Sequence, residues 1–146
     1  LTNCLKAIKT FKGVKRRMEL VGSYKTIKIY DDFAHHPTEI DSSIASLKKN
    51  FPHKKILAIC EVKSNSMISG AHRLNLSKAL QRAHRSIIVK SRLVKWSLSS
   101  KNHKINTIET YDKIKEYIDN NLENIDILLI MSNKSTVELR DTIKNA

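Results

Sequence analysis

The sequence predicts an α/β fold, with a mostly parallel sheet of about six strands, one antiparallel edge strand and helices on both faces. Two observations carry this. Short, near-continuous apolar runs at Ile56-Leu57-Ala58-Ile59, Ile87-Ile88-Val89 and Ile125 to Met131 have the pattern of strands buried on both faces. Between them, apolar residues recur every three or four positions, which is the stripe of an amphipathic helix. Strands alternating with helices require crossover connections, and crossovers make neighbouring strands parallel.

In chain order, Leu5, Ile8 and Phe11 mark a first helical stripe, closed at Lys12-Gly13. Met18 to Val21 and Thr26 to Tyr30 read as short strands joined at Gly22-Ser23, a hairpin that supplies the antiparallel edge. Pro37 suits a first helical turn, where its missing N–H costs nothing. Ile40, Ile44 and Leu47 form that helix's buried stripe, and Phe51-Pro52 ends it. Lys55 to Cys60 is the next strand. Leu76, Ala79, Leu80 and Ala83 predict a helix over 72–83, followed by the strand Ile87 to Val89. A Ser/Lys-rich segment holding Trp96 leads to a weak strand, Ile105 to Ile108. Tyr111, Ile114, Ile118 and Leu122 mark another helix, Ile125 to Met131 the most hydrophobic strand, and Val137 to Ile143 a closing helix. The order is Rossmann-like, so ligand sites are expected at the carboxyl ends of the strands.

The 146 residues fit one domain, and at 40% hydrophobic they can bury a core. No apolar run is long enough for a membrane-spanning helix, and Leu1 to Lys12 carries too many lysines for a signal peptide. Cys4 and Cys60 match no zinc or redox spacing; without a disulfide framework, the expected setting is a reducing cytoplasm. Net charge is +13, and it is uneven: residues 1–104 carry 22 basic and 6 acidic groups, the remainder 5 and 8. A basic face can attract nucleic acid or anionic metabolites. Lysines outnumber arginines 20 to 7 and aromatics make up 5%, too few for a base-stacking platform, so nucleic acid is disfavoured as a partner. A solvated surface with a phosphate-binding patch fits better.

Three polar segments follow predicted strands or glycines. Tyr30 to Glu39 places Asp31, Asp32, His35 and His36 within six residues; carboxylates can accept from sugar hydroxyls and imidazoles can move a proton. The competing reading is a helix cap, in which Asp and Thr satisfy first-turn amides before Pro37. Lys15-Arg16-Arg17 after Gly13 can clasp phosphate or serve as an exposed basic turn. Glu61 to Met67 offers Lys63, Ser64, Asn65 and Ser66 at a strand end, as polar-ligand contacts or an ordinary loop. His53, His84 and His103 read as surface residues, and Cys60 as core. With glycine only at 13, 22 and 70, neither GxxxxGK[ST] nor GxGxxG exists, so this chain cannot cradle a triphosphate in that way.

Phe11 to Glu19 (FKGVKRRME) and Tyr30 to Thr38 (YDDFAHHPT) resemble the Mur ligase family at the opening of its third, carboxy-terminal domain. The Phe33-Ala34 pair, the Glu61 to Gly70 stretch EVKSNSMISG, and Met131-Ser132-Asn133 are more similar to its tripeptide-adding members than to its L-alanine-adding ones. The resemblance runs from near residue 5 to the end of the chain. It implies that two preceding domains, including the central ATPase domain, belong to the full ligase, and that this domain alone is inactive. It further implies ATP-dependent ligation. The lactyl carboxylate of UDP-N-acetylmuramate would be activated as an acyl phosphate, then attacked by the amine of the recycled murein tripeptide L-Ala-γ-D-Glu-meso-diaminopimelate. By motif, Arg17 and Asp32 would contact ATP, and His35, the catalytic group of this domain, and Phe33 would line the amine substrate. Lys63, Ser64, Asn65, Ser66 and Met67 would form the tripeptide side of the cleft. Mg²⁺ would be held mainly by the central domain, and no metal ligand is assigned here. This chain departs from the family at Val62-Lys63, where proline and arginine are usual. It also departs at Lys134-Ser135-Thr136-Val137-Glu138, which replaces a glycine-rich run.

Overall fold

A computed structural model describes residues 13–98 and 104–145; the helical stripe at Leu5, Ile8 and Phe11 lies outside them. The elements are β1 (Glu19–Tyr24), β2 (Ile27–Asp32), α1 (Pro37–Asn50), β3 (Ile56–Glu61), α2 (Asn65–Ile68), α3 (Arg73–Leu80) and β4 (Arg85–Val89). They continue with β5 (Ile105–Ile108), α4 (Tyr111–Asp119), a 3-10 turn (Leu122–Asn124), β6 (Ile127–Met131) and α5 (Val137–Lys144). The six strands form one sheet in the order β1-β2-β6-β3-β4-β5, antiparallel only between β1 and β2. The α/β architecture with its antiparallel edge is the one the sequence predicts.

Local boundaries differ, for physical reasons. Gly22 is not the hairpin turn. At φ +137° it sits inside β1 at a bulge, and the turn lies at Lys25-Thr26, with Lys25 at φ +52°. The helix expected to reach Leu122 stops at Asp119, where Asn121 turns its side-chain amide back onto the Tyr117 carbonyl at 2.8 Å. Asn65–Ile68, read as loop, is a helix too short for periodicity to reveal.

Alternation along the strands divides the core. On one face α1 and α3 cover Ile56, Ala58, Cys60, Leu129 and Met131; on the other, α4 and α5 cover Ile27, Ile29, Leu57, Ile59, Leu128 and Ile130. Each of the isoleucine, leucine and methionine side chains contributes about 1.5–3 kcal/mol when buried. β6 lies between β2 and β3. The chain leaves β2 and β3 for the first face but leaves β6 for the second, so crevices open at the carboxyl ends on either side of β6.

Candidate functional site at the carboxyl edge of the sheet

The loop before β1 carries three positive φ angles, at Gly13 (+87°), Arg16 (+56°) and Met18 (+51°). For non-glycine residues this conformation costs about 1 kcal/mol or more, so surrounding contacts must impose it. Arg16 N donates to Glu19 Oε2, Phe33 N to Arg16 O, and Met18 N to Asp32 Oδ2, each at 2.8 Å. Asp32 Oδ1 accepts from Ala34 N at 2.7 Å. Asp32 is therefore a buried clamp joining the loop to the end of β2. A ligand hydroxyl would use the second lone pair of either oxygen.

Beside the clamp, the Arg17 and Arg16 guanidinium groups lie 5.8 and 5.2 Å from the Phe33 ring centre, and Phe33 meets His35 edge-on at 5.3 Å. Arg17 is exposed. His35 Nδ1 lies 3.1 Å from the Phe33 carbonyl, which only accepts, so Nδ1 is the donor in that contact, and in the neutral ring the lone pair sits on Nε2. His36, not Asp or Thr, caps α1: its Nδ1 accepts from Thr38 N at 3.5 Å while Glu39 Oε2 accepts from His36 N at 3.3 Å. Burial alone would raise the Glu39 pKa. The His35 and His36 amides, with the charges of His35 and Arg17, outweigh it and hold the carboxyl below its ordinary range. Capping thus absorbs His36 and Glu39 and leaves Arg17, Phe33 and His35 for chemistry.

The loop after β3 is brought alongside by an edge contact between the His36 and His72 rings at 4.7 Å. Asn65 and Ser66 are exposed, and Ser64 Oγ is buried without a hydrogen-bond partner. Met67 is 2% exposed and belongs to the core; with Ile68 it offers carbonyls to Trp96 Nε1 at 2.9 and 3.1 Å, so it supports the turn from beneath.

Lys63 turns the other way. Glu61 alternates with Leu57 and Ile59 and faces α4, where Tyr111 OH donates to its Oε1 at 2.5 Å. Lys63 Nζ donates to Glu61 Oε1 at 2.9 Å and to the Tyr111 hydroxyl at 3.1 Å, which leaves one N–H for a ligand. Burial alone would lower the Lys63 pKa, but the hydrogen bonds and charges of Glu61 and Tyr111 outweigh it and raise it. The pairing of Glu61 with Tyr111 escaped the sequence reading because they lie 50 residues apart and Tyr111 reads as part of a helix stripe.

Among the described residues, no three His, Cys, Asp or Glu side chains converge to hold a metal, and no helix is long and apolar enough to cross a membrane. At the opposite edge, Lys48, Lys54, Lys55, Arg82 and Lys104, with His53 and His84, line a basic cleft of 360 Å³ that holds no Phe, Tyr or Trp.

The family described as Mur ligase, glutamate ligase domain, matches residues 16–134. The chain is 31% identical over 140 residues to the UDP-N-acetylmuramate–L-alanyl-gamma-D-glutamyl-meso-2,6-diaminoheptandioate ligase of Haemophilus influenzae, covering 92% of this chain and 31% of that one. It is 28% identical over 140 residues to the UDP-N-acetylmuramate–L-alanine ligase of Clostridium kluyveri, covering 87% and 30%. Among solved structures, a murein peptide ligase of Psychrobacter arcticus superposes with a TM-score of 0.76 at 29% identity, over 97% of this chain and 32% of that one. The chain thus spans about a third of the length of the relatives it matches.

Proposed function

The chain belongs to the Mur ligase family, as its carboxy-terminal, glutamate ligase domain, and from that premise we propose that it closes the nucleotide and amine sites of a murein-recycling ligase. The ligase joins UDP-N-acetylmuramate to L-Ala-γ-D-Glu-meso-diaminopimelate in the cytoplasm. It uses ATP, which supplies the phosphoryl group that activates the carboxylate, and Mg²⁺ held mainly by the central domain of the same polypeptide. The observation that supports this reading best is the row Arg17, Phe33, His35, fixed beside the Asp32 clamp at the carboxyl edge of the sheet. Exposed Arg17 is the cation available to the nucleotide, and Asp32 holds the loop that presents it. His35 Nε2 accepts a proton or hydrogen bond from the incoming amine, and Phe33 packs against that substrate. Ser64, Asn65 and Ser66 contact the peptide, with Met67 beneath them, while the remaining Lys63 N–H meets a peptide carboxylate. Lacking a phosphate-cradling glycine loop, the isolated chain binds but does not turn over.

The test is an amide NMR titration of the 146-residue chain with the tripeptide, with L-Ala, with ATP and with an oligonucleotide. Shifts at residues 33–36 and 63–67 produced by tripeptide and not by L-Ala are the expected result. Equal responses to tripeptide and L-Ala would reassign the domain to an L-alanine-adding ligase. Salt-sensitive broadening by the oligonucleotide alone, centred on the basic cleft, would replace the ligase reading with nucleic-acid binding.

A further inference from the structure

Asp31 and Asp32 adjoin in sequence but face opposite sides of the sheet: Asp32 clamps Met18 over the first face, and Asp31 continues the Ile27, Ile29 row of the second. There Asp31 opens on a cleft of 400 Å³ that the ligase reading does not use, lined by Lys15, Arg16, Asp31, Ser135, Thr136 and Arg140, among others. Asp31 is 1% exposed. Its Oδ2 accepts from Thr136 Oγ1 at 2.9 Å and lies 3.4 Å from Arg16 Nε, while its Oδ1 has no partner. Arg16 Nη2 is spent on the Ser132 and Lys134 carbonyls at 2.6 and 2.7 Å. Arg16 Nε and Arg140 Nε are buried without a hydrogen bond. Three of the six such atoms among the described residues therefore belong to residues that line this one cleft. Buried polar groups are rarely left unsatisfied, and their concentration in one place marks a ligand.

The chemistry of that ligand follows from the groups. Thr136 is the N-cap of α5, yet its hydroxyl goes to Asp31 and makes no capping bond; Val137 N donates to Ser135 Oγ at 3.4 Å, and the Glu138 and Leu139 amides of this eight-residue helix have no side-chain cap beside the cleft. Lys15, Arg16 and Arg140 face Asp31 and Glu19 across the lining, which leaves one positive charge in surplus. Buried donors, open helix amides and surplus positive charge call for an oxyanion. The single buried acceptor calls for one of the oxyanion's oxygens to carry a proton. We propose that the cleft binds inorganic hydrogen phosphate, whose P–OH donates to Asp31 Oδ1 while its other oxygens accept from Arg16, Arg140 and the first turn of α5. The cleft is lined by Ser135, Thr136 and Val137, within the run that replaces the family's glycine-rich segment, and the proposal stands independently of the ligase reading.

Protonation gives the test its edge. Near neutral pH hydrogen phosphate keeps a P–OH, sulfate has none, and a phosphate monoester, with its second pKa near about 6, has largely lost its own at about pH 7.5. Amide NMR of the 146-residue chain at about 0.15 M ionic strength is expected to show saturable shifts at Asp31 and residues 135–140 with inorganic phosphate. Sulfate and methyl phosphate are expected to bind about tenfold more weakly, because each leaves Asp31 unpaired. Arg140→Gln should weaken phosphate about fivefold. Asp31→Asn, whose amide donates, should bring sulfate to within about twofold of phosphate; should that variant fail to fold, Arg140→Gln and the wild-type anion comparison still decide. Equal binding of sulfate and phosphate by the wild-type chain, unsaturated shifts scattered over surface lysines, or unchanged affinity in Arg140→Gln would each overturn the proposal.

Discussion

A carboxylate that holds two backbone amides sets the geometry of everything near it, and Asp32 does so here. Removing both charge-assisted bonds in Asp32→Ala should cost about 3 kcal/mol in urea unfolding, so a loss of function in that variant needs Asp32→Asn beside it as control. Lys63 carries a separate prediction. Its pKa is raised in the folded chain, so its contribution to stability is complete below the unfolded value near about 10.4 and is lost as pH rises through the higher folded value. Thermal unfolding at increasing alkalinity should show that decline in the wild type and a smaller one in Lys63→Met, which should also weaken tripeptide binding about fivefold. Cys60 is fully buried, and burial, with the neighbouring Glu61 charge, pushes its thiol up to about 12. Mass spectrometry after alkylation near neutral pH should find it unmodified until the chain is denatured. Residue types at the site were legible in DDFAHH and KRR. Their division of labour was not, because a cap, a clamp and a ligand contact use the same polar side chains.

Elements were legible where burial imposes a period. The α1 stripe of Ile40, Ile44 and Leu47 and the apolar run of β3 appear where the sequence places them. Where polar contacts decide the conformation, as in α2 and at the β1 bulge, periodicity says nothing. Gly70 illustrates the α2 region: at φ +80°, a Cβ there would stand 2.6 Å from Trp96 Cδ1. Gly70→Ala should therefore destabilise the chain by about 1–3 kcal/mol, measured by urea unfolding, and loosen the Ser64–Met67 turn. At the other edge Asp126 ties the approach to β6 onto Lys55 N at 2.7 Å and Lys54 Nζ at 3.1 Å. The Lys55 amide and the Lys54 charge, against the opposing effect of burial, hold its carboxyl below the ordinary range. Its contribution is present above the unfolded carboxylate value and lost as pH falls through the folded one; acid titration of Asp126→Asn should lack that component.

At the scale of the molecule, the fold class followed from the order of apolar runs, but the placement of β6 between β2 and β3 did not, since no local pattern encodes strand order. That placement is what gathers three strand ends into one rim. The +13 net charge acts on the whole body as self-repulsion, so added salt should raise the unfolding temperature by about 2–4 °C in a calorimetric series.

Trp96 is the only tryptophan of the chain, and its indole N–H is shared between two carbonyls of the turn after β3. The molecule consequently carries a built-in optical gauge. Any ligand that tightens or opens that turn changes the polarity around a single fluorophore, and its emission wavelength can follow the candidate site without a label.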